Sequence, residues 1–203
     1  MRGNRSVSLM LVAFPILLAL GIVLIPVVAD YSDHSLAVRA VGQTWRWFLG
    51  HVVAALAFGY SVWVVSALDE HLRSRGYRLH SMTLIGLVFG AALYAAGLGA
   101  DGVGPVALLT AGRDPSGFFD GSGLWVTSLF VAATVLYGLG LISMVVTLNN
   151  AGVLHRSARW IAFVGALLFA CAPAILSGWA LYGVAAAAFM VFIPIASMVA
   201  RQG

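Results

Sequence analysis

The chain has no lysine, a single cysteine and only seven acidic residues, and each scarcity closes off a class of protein. With no second thiol, Cys171 has no internal disulfide partner; it lies in an apolar run and reads as a small packed hydrophobe, so the redox compartment is not legible. Charged residues make up 9% of the chain against 62% hydrophobic ones, and the mean hydropathy is +1.00. That is more apolar surface than a soluble domain of 203 residues can bury, so the expected solvent is lipid. The net charge of +4 is scattered over short segments rather than gathered on one face, which argues against a nucleic-acid partner. Also missing are a glycine-rich phosphate loop ending in Lys-Ser/Thr, an HExxH helix and a GxSxG elbow. Intramembrane carboxylates of the kind that relay protons in coupled transporters are absent unless Asp101 is drawn inward. An enzyme is therefore the less favoured reading, and nothing in the sequence requires a cofactor.

What is present is a series of long apolar runs. A helix needs about 20 apolar residues to cross the hydrocarbon layer, and six segments approach that length: about 7–28, 47–68, 81–100, 124–148, 160–176 and 180–200. The last two form one uncharged run, divided where Ser177-Gly178-Trp179 supplies turn chemistry. The first follows Arg2 and Arg5 as a signal peptide would, but its apolar core exceeds the usual cleavable length, and a retained helix is expected. The expected fold is all-α: a single-domain, polytopic membrane bundle of six transmembrane helices.

Arginine placement orients the bundle. Arg2, Arg5, Arg73, Arg75, Arg78, Arg156, Arg159 and Arg201 fall on one side, and Arg39, Arg46 and Arg113 on the other. Cytoplasmic loops retain positive residues, so both termini are expected in the cytoplasm. The all-arginine usage, with abundant Ala, Gly, Val and Leu, indicates GC-rich bacterial coding and places the chain in a bacterial inner membrane. Asp30, Asp33, Asp101, Asp114 and Asp120 then lie outside, in two loops longer than the inner ones, Ala29 to Arg46 and Asp101 to Gly123. Each has one expected amphipathic piece, Ser35 to Val41 and Pro105 to Ala111, with Pro105 as a first helical residue. Phe118 and Phe119 are apolar enough to dip into the interface. Trp45, Trp47, Trp125, Trp179, Trp160 and Trp63 fall near span ends and read as headgroup-level anchors.

One ionisable side chain sits well inside a span. His51 lies four residues beyond Trp47, roughly 6 Å below the outer interface at 1.5 Å per residue. With Ala55, Gly59, Val62 and Ser66 it falls within an arc of roughly 80°, a small-residue face expected to turn toward the bundle interior. Partners near its depth are Asp101, Asp30 and Asp120, with Arg46 above. The candidate catalytic residues are His51, Asp101 and Asp120; the candidate ligand-binding residues are His51, Asp30, Arg46 and Asp101. Several readings of His51 stay open: a bond to water or a loop carbonyl, a proton- or substrate-handling site, axial ligation of haem or a chlorophyll-type pigment, or a metal. No two histidines form the i, i+3 or i, i+4 intramembrane pair that a helix-borne metal site favours, and no metal is assigned.

Gly86 and Gly90 make a GxxxG pair in the third span, which implies tight helix packing without specifying a dimer. Pro15, Pro26 and Pro173 are expected to kink or end their helices. The acidic stretch Asp30-Tyr31-Ser32-Asp33, then Ala37 to Ala40, then Trp45-Arg46-Trp47 with His51, resembles a broad group of bacterial six-helix membrane proteins of unknown function. The resemblance implies six helices and carries over no activity. The function expected is that of a structural or accessory subunit, or a small-ligand binder, working on its outer face. The alternatives are a membrane enzyme or transporter using an outer-leaflet His/Asp site, and a pigment-binding subunit. Membrane lipid and other membrane subunits are the expected partners.

Overall fold

The computed structural model describes residues 2–175 and 177–201, and these are almost wholly helical. Seven α-helices follow in order among the described residues: α1 (Arg2–Leu24), α2 (His34–Val41), α3 (Thr44–Arg73), α4 (Ser81–Thr110), α5 (Gly123–Asn150), α6 (Arg156–Cys171) and α7 (Trp179–Arg201). A π-helical turn, Phe118–Ser122, leads into α5, and a 3-10 turn, Ala172–Ala174, ends α6. Five segments are long and apolar enough to cross a bilayer: Asn4–Leu24, Thr44–Arg73, Ser81–Thr110, Trp125–Asn150 and Trp179–Arg201. The chain is thus a multi-pass helical membrane protein. The fifth expected span, 160–176, forms the 16-residue α6 and its 3-10 turn; its last residue, Leu176, lies outside the described residues, as do Met1, Gln202 and Gly203.

Local chemistry explains where the helices begin and end. Asp33 caps α2 by accepting the Ser35 N–H, and His80 and His155 cap α4 and α6 by accepting the N–H groups of Met82 and Ala158. These are structural duties for two histidines of the arginine-rich end. α3 closes with Gly76 at φ 81°, where the Tyr77 N–H reaches back to the Leu72 carbonyl. Gly112 and Gly152 repeat this left-handed stop after α4 and α5. α1 stops ahead of Pro26, and Pro173 lies in the 3-10 turn that follows α6, whereas Pro15 is carried within α1.

Six of the helices close into a ring in which each packs antiparallel on its chain neighbour, from α1 through α3, α4, α5, α6 and α7 back to α1. Close approach at small residues makes this possible. A Cβ on Gly21 would meet the Ala54 backbone N at 2.6 Å, one on Gly90 the Tyr137 N at 2.5 Å, and one on Gly138 the Ala170 Cβ at 2.7 Å. The GxxxG pair Gly86/Gly90 is therefore used inside the chain, against α5. Two side-chain hydrogen bonds cross the same seam, Thr83 to Ser143 at 2.5 Å and Tyr94 to Thr134 at 2.7 Å.

At mid-depth each ring helix contributes one aromatic side chain: Phe14, Phe58, Tyr94, Tyr137, Phe169 and Phe192. Phe58 and Tyr94 stack at 4.2 Å, and Phe14 meets Phe192 edge-on at 4.8 Å. Tyr137 and Phe169 continue the cluster at 5.4 Å, so the bundle axis is packed with rings.

Three expectations are corrected. α4 does not stop at Ala100 but runs through Asp101 and Pro105 to Thr110, so Pro105 to Ala111 is no separate amphipathic piece. The continuation is possible because a side chain takes over the carbonyl that Pro105 leaves free, as described below. Second, Trp47 is no interface anchor: it is wholly buried, whereas Trp45, Trp63, Trp125, Trp160 and Trp179 are exposed. Third, the buried stripe of α3 runs from His51 through Ala54, Phe58, Ser61 and Val65, while Gly59 and Ser66 face outward. The expected arc advanced from His51 on one side; the true one advances on the other, because the aromatic Phe58 holds the axis.

Candidate functional site

The end of the bundle opposite the eight clustered arginines carries α2, which matches the expected amphipathic piece, and the π-helical turn. Its small core gathers Val28, Ala37, Ala40, Val41 and Trp47, with Tyr31, Leu36, Val106 and Phe119 packed against it. Phe119 meets Trp47 edge-on at 6.3 Å, so it covers this core instead of dipping into lipid.

Beneath that cover lies His51, 2% exposed. Its Nε2 is 3.2 Å from Asp101 Oδ2, and its Nδ1 is 2.7 Å from the Trp47 carbonyl oxygen. A carbonyl only accepts, so Nδ1 carries a proton and donates it. Nε2 is then the nitrogen turned to the Asp101 carboxyl, at hydrogen-bond distance. The Trp47 ring lies against the imidazole at 4.6 Å, and Gly102 leaves the room: a Cβ there would stand 2.6 Å from the His51 Cβ.

Asp101 is held from a second direction. In a continuous helix its carbonyl would accept the N–H of residue 105, but Pro105 has none. The Trp47 indole N–H donates to that carbonyl at 2.8 Å. Trp47 and His51, one turn apart on α3, thus grip Asp101 of α4 by backbone and side chain together. The Tyr31 phenol beside this group has its pKa pushed up by burial and, to a smaller extent, by the Asp101 charge.

The remaining candidates lie elsewhere. Asp120 pairs with His34 Nδ1 at 2.5 Å on the exposed surface, joining α2 to the π-helical turn, so it is not a partner of His51. Asp30 closes an Asx turn, accepting the Ser32 N–H at 2.8 Å and its hydroxyl at 2.7 Å; these bonds, the hydroxyl's first, lower its pKa. Arg46 reaches Gln43 Oε1 at 2.8 Å and the Val23 carbonyl at 3.4 Å. Neither meets His51: Asp30 bonds within its own turn, and Arg46, in the first turn of α3, bonds Gln43 and the end of α1. Of the candidates, His51 and Asp101 alone come together. Trp47, Tyr31 and Pro105 were missed by sequence reasoning, although the i, i+4 spacings Trp47/His51 and Asp101/Pro105 were visible.

Among the described residues no three His, Cys, Asp or Glu side chains gather as a metal would require. Both ring nitrogens of His51 are engaged, so axial ligation of a haem or pigment would first have to displace Asp101. Comparison of the chain with models of known families, with characterised proteins and with solved structures finds no match.

Proposed function

We propose that the protein is a bacterial inner-membrane protein of six spans with both termini cytoplasmic, acting as an accessory subunit or small-ligand binder at its outer, α2-bearing end. The observation that carries this reading is the packed aromatic ring beneath the His51–Asp101 pair. A carrier needs a path past its polar centre, and six side chains, one from each ring helix, fill that axis. The sixth span is α6: with its 3-10 turn it extends roughly 30 Å, the thickness of the hydrocarbon layer. Its Phe169 reaches the same level as the aromatics of the other five helices.

The test is reconstitution into liposomes holding a pH-sensitive dye. Under an imposed proton gradient, the dye should respond no faster than in protein-free liposomes. A flux that disappears in His51→Gln would overturn the reading. It would favour instead a transporter or membrane enzyme using His51 with Asp101, for which the 3.2 Å contact between their side chains is the supporting observation.

A further inference from the structure

At the arginine-rich end a groove of about 350 Å³ opens between the α3–α4 turn and the last turn of α5, lined by Tyr77, Arg78, His80, Thr147, Asn150 and Ala151. It lies about the length of the bundle from His51 and shares no residue with that site.

Three of its polar side chains can donate. Arg78 is exposed and makes no ion pair among the described residues. His80 Nδ1 accepts the Met82 N–H, so in the neutral ring the proton sits on Nε2, a donor. The Asn150 side-chain oxygen is taken by Asn149 Nδ2 at 3.3 Å, which leaves its amide NH₂ to donate. Thr147 spends its hydroxyl proton on the Ser143 carbonyl and offers the groove only an acceptor, and Tyr77 completes the lining. Of the two acidic residues near the end of α3, Asp69 is occupied by Arg73 at 2.8 Å and by the Leu79 N–H at 2.8 Å, and Glu70 is exposed. Donors on Arg78, His80 and Asn150, with the Arg78 guanidinium in no ion pair among the described residues, match the oxygens of a phosphate.

The flanks say what kind of phosphate. Met82, Ile85 and Phe89 of α4 and Val146 and Leu139 of α5 are exposed large apolar side chains on the helices that form the groove. A headgroup in the groove would leave its acyl chains on that surface. We infer that the groove between the α3–α4 turn and the end of α5 binds the headgroup phosphate of an anionic phospholipid, with Arg78 as its principal contact.

Native mass spectrometry of the delipidated full chain, titrated with phosphatidylglycerol or phosphatidylcholine, reads this directly. Phosphatidylglycerol should bind in preference, and Arg78→Ala should weaken it about fivefold. Asn150→Asp, which puts a carboxylate in the groove, should weaken it as well. Arg201→Ala, the same charge change on the same end but outside the groove, should leave binding unchanged, and inorganic phosphate should not compete. Equal binding of the two lipids, or an unaltered Arg78→Ala, would overturn the site. So would an equal loss in Arg201→Ala, which would mean diffuse charge attraction, or displacement by inorganic phosphate, which would mean a free-anion site.

Discussion

Trp47 illustrates how one residue serves two functions that its type alone does not separate. An indole near a span end is ordinarily a headgroup anchor, and five of the six tryptophans are exposed as anchors are. Trp47 instead spends its N–H on the carbonyl that Pro105 cannot satisfy. Trp47→Phe should therefore destabilise the bundle by about 1–2 kcal/mol in the natural background, by leaving a buried acceptor unpaired. In Pro105→Ala, where residue 105 regains an N–H, the same change should cost much less. Equal costs in a double-mutant cycle, followed by denaturant unfolding in detergent, would refute the link. The contact of His51 with Asp101 makes a second expectation. Asp101→Leu leaves Nε2 without a partner and should cost about 1–3 kcal/mol, while Asp101→Asn still offers a donor to a neutral Nε2 and should cost distinctly less. His51 was legible as the one histidine well inside an apolar run, but its choice of Asp101 over Asp30 and Asp120 was not. The three aspartates are alike in sequence, and only the height of α4 beside α3 selects among them.

Helices and their seams were legible to different degrees. The six apolar runs appear as helices because their length and composition leave no alternative in lipid, where backbone polar groups must be satisfied within the segment. The end of α4 was misjudged for a physical reason: Asp101 and Pro105 are each, taken singly, signals to stop, and here each is satisfied by α3. The seam between α4 and α5 yields a clear test. Gly90→Ala places a Cβ against the Tyr137 backbone and should destabilise by about 1–3 kcal/mol, whereas Gly59→Ala meets open space on α3 and should be neutral or stabilising by up to about 1 kcal/mol. Equal melting temperatures for the two variants would contradict the packing. Both glycines lie in apolar helices of similar composition, so nothing but the neighbouring helix distinguishes them.

For the whole molecule, the arginine asymmetry and the antiparallel ring agree: eight arginines fall at the end that holds the α4 and α6 N-termini. In a Cys171→Ser background, needed because Cys171 is exposed, a membrane-impermeant thiol reagent applied to intact cells should label a cysteine at position 116 and spare one at position 74. The opposite pattern would reverse the topology and put His51 near the cytoplasm. The sequence by itself determined that the chain is helical and lives in lipid, because hydropathy and helix length are properties of single segments. It also determined which loops share a side, because charge is counted loop by loop. Only the tertiary structure decided that six aromatics meet on one axis, that a tryptophan completes a proline's missing bond, and that one aspartate of three reaches His51. Those outcomes depend on the rotation and height of each helix against its neighbour, and these are set by contacts between residues far apart in the chain.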